Sequence, residues 1–190
     1  MNIEHQENWL YELCRRKGTA LSVFFFLLTV LSYVILTSSA AGIGRLEEIT
    51  GGMGILDTRF GYTAQEAENH FRDLGDTGRR FTLLSIIPLD MLFLISWSSL
   101  LLVLTCKMLL VRRESGMYPR RARFMLSVPA AAGISDLLEN SIQAAVLIQY
   151  PDHPEVLVSL LTFLTPGKFL LLAGAVGVLT GEIIAAGLRN

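Results

Sequence analysis

The sequence predicts an all-α, polytopic membrane protein: four transmembrane helices in a bundle, plus a short amphipathic helix outside the bilayer. Three observations carry this. Hydrophobic residues make up 52% of the 190 and charged residues only 17%, against a usual ~25% charged in soluble domains. Four stretches, at about 18–40, 81–106, 124–149 and 156–181, are nearly free of charge. At roughly 26 residues and 1.5 Å per residue, each reaches about 39 Å, enough to cross a ~30 Å hydrocarbon core with some tilt. Lys and Arg divide unevenly between the two sides of these stretches.

The first span follows Arg15, Arg16 and Lys17 and carries no charge. Ser38-Ser39-Ala40 offers small residues to a signal peptidase, but the apolar run exceeds the 7–15 residues of a signal-peptide core. A retained anchor is expected. Segment 41–80 is the only sizeable part outside the spans, and the chain is read as one membrane domain. Its glycine-rich start, through Gly51, Gly52 and Gly54, reads as loop. Thr63 and Glu66 then have capping-box spacing. Ala67, Phe71 and Leu74 follow at helical intervals until Gly75, predicting an amphipathic helix over 64–74 that lies on the membrane or roofs the bundle.

Asp90 is the only charge of the second span, and Phe93 and Trp97 share its face. The third span carries Asp136, Glu139, Asn140 and Gln143, an i, i+3, i+4, i+7 stripe along one side of a helix. The fourth carries Lys168, just after Thr165-Pro166-Gly167, where the proline is expected to interrupt the helix and free the Thr162 carbonyl. Pro88 and Pro129 add further breaks. Gly177 and Gly181 have small-xxx-small spacing, which suits packing within one chain or a homodimer.

Ten basic residues (Arg15, Arg16, Lys17, Lys107, Arg112, Arg113, Arg120, Arg121, Arg123 and Arg189) fall on one side. Five (Arg45, Arg59, Arg72, Arg79 and Arg80) fall on the other. The positive-inside rule puts both termini in the cytoplasm, and a bacterial cytoplasmic membrane is the expected setting. Arg79 and Arg80 stand where a helix N-terminus disfavours cations. Asp57, Glu66, Asp76, a lipid phosphate or an anionic ligand are candidates to balance them, with Arg59 beside them.

Helix directions place Asp90, Glu139, Asn140 and Lys168 at similar depths, within about 5 Å, with Asp136 deeper. Charges cost roughly 2.5–3.5 kcal/mol each at a helix centre. Four left unpaired would cost about 10 kcal/mol, comparable to a domain's net stability. Asp90, Asp136, Glu139 and Lys168 must therefore pair, protonate or meet water. Three carboxylates and one lysine leave two negative charges over. At least one of the three is expected to hold a proton at neutral pH unless a cation or water fills the site. Polar glue between helices and a functional site both account for the constellation.

A net charge of −1 supplies no basic field for nucleic acid, and two cysteines, Cys14 and Cys106, make no disulfide framework. Metal-ligand spacing, a P-loop, GxSxG and HExxH are all missing, so neither metal nor cofactor is expected.

The run Leu56-Asp57-Thr58-Arg59-Phe60-Gly61-Tyr62-Thr63, then Gly78-Arg79-Arg80, then Asp136-Leu137-Leu138-Glu139-Asn140, resembles a pattern recurring in uncharacterised four-helix membrane proteins. The resemblance spans most of the chain beyond residue 50. It carries no established activity and implies that the Asp-x-x-Glu-Asn stripe and the Arg residues belong together.

The leading expectation is a pocket open to the outer leaflet that binds or modifies a small or lipid-like ligand. Asp136 and Glu139 would be its acid/base or binding carboxylates. Asn140 would orient the ligand, with Asp90, Gln143 and Trp97 beside it, and Lys168 would supply positive charge. Arg59, Arg79 and Arg80 would hold an anionic headgroup. A proton- or cation-coupled transporter or small oligomeric channel is the second expectation, and a structural or assembly subunit the third.

Overall fold

Residues 3–114 and 122–187 are described by a computed structural model. Arg120, Arg121 and Arg189 lie outside them. The described residues are helical and contain no strand. In order they form α1 (Ile3–Thr37), α2 (Ile43–Thr50), α3 (Ala64–Asp73), α4 (Gly75–Phe81), α5 (Ile87–Glu114), α6 (Ala122–Gln149) and α7 (Glu155–Gly187). A single π-helical stretch, Thr82–Ile86, joins α4 to α5. It falls just before Pro88, whose missing N–H disturbs the hydrogen-bond register of the preceding turn.

Among the described residues three helices are long and apolar enough to cross a membrane: Trp9–Thr37, Gly75–Arg112 and Glu155–Ala185. Helix α6 matches them in length but is not among them. Asp136, Glu139, Asn140 and Gln143 occupy its middle and lower its apolar content below that of a lone span. Its partners compensate: α6 packs between α5 and α7, so Glu139, Asn140 and Gln143 are buried against protein.

Helix α1 packs along α5. Ser32 and Ser96 face each other at 3.4 Å across this seam, and Lys107 Nζ donates to Thr19 Oγ1 at 3.0 Å. Cys14 and Cys106, both free thiols, meet in a buried cluster with Tyr11, Leu109 and Ala122. On the other side of α5, Gly133 of α6 lies so close that a Cβ there would sit 2.8 Å from Ser98 Oγ.

Two sequence expectations are corrected. The glycine-rich stretch after α1 is not all loop, because α2 forms within it. Gly42 opens α2 where a Cβ would meet the Leu36 carbonyl oxygen at 2.0 Å, and Gly51 ends it in the left-handed region at φ 74°. Burial of Leu46 supplies the packing that local propensity lacks. Pro166 and Pro129 do not interrupt their helices either: α7 runs through the first and α6 through the second. One lost hydrogen bond is tolerated in α7 because the turns on both sides stay bonded and packed on α6.

The capping box at α3 is present. Glu66 N–H donates to Thr63 Oγ1 at 3.2 Å, and Thr63 N–H donates to Glu66 Oε2 at 2.7 Å. Ala67, His70 and Phe71 form the buried face of α3, which packs on α7.

Candidate functional site

The polar groups inside the helices converge on Lys168. Its Nζ lies 2.6 Å from Glu139 Oε2, 3.2 Å from Asp136 Oδ1 and 3.7 Å from Asp57 Oδ2. Asp136 and Glu139 stand one turn apart on α6 and so present both carboxylates to one point of α7. Thr165, one turn before Lys168, donates its hydroxyl proton to Glu139 Oε1 and also approaches the Leu161 carbonyl at 3.0 Å. A hydroxyl has one proton to give. With that proton on Glu139, Thr165 accepts from the Tyr62 hydroxyl, 2.8 Å away. A continuous polar chain therefore runs Tyr62, Thr165, Glu139, Lys168, and from there to Asp136 and Asp57. Asn140 turns to the other side and donates to Asp90 Oδ2 of α5 at 2.6 Å.

A cavity of about 670 Å³ opens beside this cluster. Its walls are mostly apolar and come from α1 (Phe26, Val30, Tyr33), α5 (Phe93, Leu94, Trp97) and α7 (Phe169, Leu172). Asp57, Asp90, Asp136 and Lys168 also line it. The size falls within the ~300–1,000 Å³ range of ligand pockets. Helix α1 makes its main contacts with α5 and none of substance with α6 or α7. The cavity therefore lies where the helices leave a gap, between α1 and α7.

Two groups of the 41–80 segment belong to this site and escaped the sequence reading. Asp57 was a candidate partner for Arg79 and Arg80; it is instead buried beside Lys168. Burial pushes its carboxyl up, the Lys168 charge opposes this, and the neighbouring Asp136 adds to it. Tyr62 is pushed up to about 12 by burial, so its phenol stays protonated. The only available signal was their place in the Leu56–Thr63 run that the sequence analysis singled out. The pattern's Asp and Tyr, not its Arg, reach the Asp-x-x-Glu-Asn stripe.

The remaining candidates are placed as follows. Trp97 lines the cavity with Asp90, whereas Gln143 is buried outside its lining. The arginines are not brought to the cavity. Arg79 donates to the Phe71 carbonyl at 2.8 Å, pairs with Asp76 and lies 4.0 Å over the Tyr150 ring. These contacts tie α4 to the end of α3 and to the loop after α6. Arg59 and Arg80 are exposed. Glu66, another candidate for them, is committed to its capping box. Helix α3 contributes nothing to the cavity lining; Ile43 of α2 and the Ile55, Asp57, Thr58 turn do. Gly177 and Gly181 are exposed, and a Cβ built at either would meet nothing within 4 Å among the described residues.

At the opposite end of α5, Arg112 pairs with Glu182 of α7, both nearly buried. On α3, burial, joined by the Arg59 charge and opposed by Asp73, pushes the His70 imidazole down to about 4. Among the described residues no group of three or more His, Cys, Asp and Glu is arranged to hold a metal ion.

Fold and site together describe an all-helical protein with three membrane-capable helices and a mostly apolar cavity edged by a buried ionic cluster. No family model, curated protein or solved structure matches the chain.

Proposed function

We propose that the protein is a four-span membrane protein, α6 being the fourth span, that takes an apolar or lipid-like ligand into the cavity between α1 and α7. The observation that carries this reading is the union of apolar walls and one charged edge in a space of about 670 Å³. Such a cavity suits a ligand with an apolar body and one polar end. Exposed Phe24, Leu27, Leu31 and Val34 on α1, and Phe163 and Leu170 on α7, suit a lipid surround, from which the ligand would enter. The Lys107 to Thr19 contact holds the basic ends of α1 and α5 together, in keeping with both termini on the cytoplasmic side and the cavity toward the outer leaflet.

In this reading Asp90 and Asp136 meet the ligand directly. Glu139 is covered by Lys168 and Thr165, so it tunes their charge and position. Should the ligand be modified as well as bound, the chain from Tyr62 through Thr165 to Glu139 is the path for a proton. Three carboxylates around one lysine, with Asp90 a fourth nearby on the cavity wall, also favour a second reading, coupling of the site to protons or cations.

Native mass spectrometry of gently extracted protein tests the proposal. Wild type is expected to be a monomer retaining a lipid or metabolite, and Glu139→Ala to lose it. Glu139→Ala as stable and as ligand-loaded as wild type would overturn the reading. A bare oligomer would move it to the proton- or cation-coupled alternative.

A further inference from the structure

Resting on that reading, we infer that the ligand is a cationic amphiphile: an apolar tail bearing an ammonium head. The charge balance at the cavity edge decides the sign. Three carboxylates, Asp57, Asp90 and Asp136, line the space with one ammonium, Lys168. That ammonium is already held most closely by a fourth carboxylate, Glu139, at 2.6 Å behind the lining. An anionic head would find its one cation taken and would meet three acids at short range. A cationic head meets surplus negative charge at low dielectric, where each unit charge counts most.

Asp57 adds an independent observation. It lines the cavity and is more than nine-tenths buried, yet its Oδ1 has no hydrogen-bond partner. Its Oδ2 reaches Lys168 only at 3.7 Å. A buried carboxylate oxygen without a partner is costly to maintain, and an ammonium head beside it offsets that cost, through a hydrogen bond where it carries N–H and through its charge alone where it is quaternary. The walls agree in kind. Tyr33 and Phe93, with ring centroids 5.8 Å apart, and Trp97 line the same space as Asp90. Aromatic faces attract ammonium groups and bear no such attraction for anions.

The protein has two tryptophans, and only Trp97 lines the cavity; Trp9 is 67% exposed. This permits a contact-quenching test in lipid nanodiscs. The probes are three chain-brominated amphiphiles of equal tail length, with trimethylammonium, hydroxyl or carboxylate heads. Trp97 is read alone in Trp9→Phe protein, and Trp9 alone in Trp97→Phe protein reports partition into the surrounding bilayer. Relative to Trp9, the trimethylammonium probe is expected to quench Trp97 at a concentration at least tenfold below that of the hydroxyl probe. The carboxylate probe should be weakest, and Asp57→Asn should narrow the tenfold gap.

If the hydroxyl or carboxylate probe quenches Trp97 as well as the ammonium probe does, the charge preference is overturned while the binding cavity stands. If no probe quenches Trp97 beyond Trp9, both readings fall together. The three heads are compared on Trp97 in Trp9→Phe protein, whose cavity lining is unchanged, so the comparison remains decisive even where Asp57→Asn does not fold.

Discussion

Replacing Lys168 with methionine is the sharpest perturbation of the ionic cluster. The apolar stem of the side chain is roughly preserved, and the ammonium alone is removed. Lys168 is the common partner of Glu139, Asp136 and Asp57, at 2.6, 3.2 and 3.7 Å. Without it, three carboxylates face one another across a space with little water, the Glu139 side chain being 2% exposed and that of Asp57 9%. Breaking a buried pair by removing one partner costs about 3–5 kcal/mol, chiefly because the other charge is stranded. For a chain of this size, each kcal/mol shifts the melting temperature by about 2–4 °C. Lys168→Met should therefore melt about 6–20 °C below wild type in nanodiscs. Adding Glu139→Gln removes the most deeply buried stranded charge while keeping a hydrogen-bond acceptor for Thr165. The double variant should regain at least half of the loss. The assay is a thermal melt followed by circular dichroism, with the four proteins compared as a double-mutant cycle. The reasoning is refuted if Lys168→Met melts within 2 °C of wild type, or if Glu139→Gln lowers stability further in the Lys168→Met background.

Three further predictions rest on the packing. His70 titrates at about 4 in the folded chain and near 6.5 unfolded, so between these values the unfolded state binds more protons. The associated stability is complete above pH 6.5 and is lost as pH falls toward 4, by about 2–3 kcal/mol at 1.36 kcal/mol per unit. Melting temperatures of wild type and His70→Leu at pH 7 and 4.5 should show a smaller acid-side drop in the variant; equal drops would contradict the assignment. Gly133→Ala should cost about 1–3 kcal/mol, because its Cβ would lie 2.8 Å from Ser98 Oγ and 3.0 Å from Ser98 Cβ, forcing α6 away from α5. Gly181→Ala, whose Cβ would meet nothing within 4 Å, should not lower the melt of the monomer in the same assay.

Much of the architecture was legible in the chain because membrane-scale helices announce themselves by length and composition. The all-helical class, the α3 capping box and the polar stripe of α6 each depend on spacing within one element, which sequence carries directly. The grouping of Asp90, Glu139, Asn140 and Lys168 was also within reach, because residue counts along a rigid helix measure depth. Helix α2 was not legible. Its glycines read as loop, and its stability comes from burying Leu46 under neighbouring elements. The fate of Pro166 was likewise undecided locally, since packing on α6 determines whether one missing hydrogen bond ends a helix.

The site divides along the same line. Sequence alone determined which ionisable residues lie within the apolar stretches, that they had to pair, protonate or meet water, and that three acids outnumber one lysine. Only the tertiary structure decided which groups complete the set. Asp57 and Tyr62 arrive from an irregular segment whose path no periodicity describes, and they join Lys168 and Thr165 on α7. Arg79, adjacent in the same pattern, is drawn instead to a backbone carbonyl, an aspartate and the Tyr150 ring. A helix converts sequence spacing into position because each residue's rise and rotation are set. A connecting segment does not, and its side chains go where buried charge and packing place them.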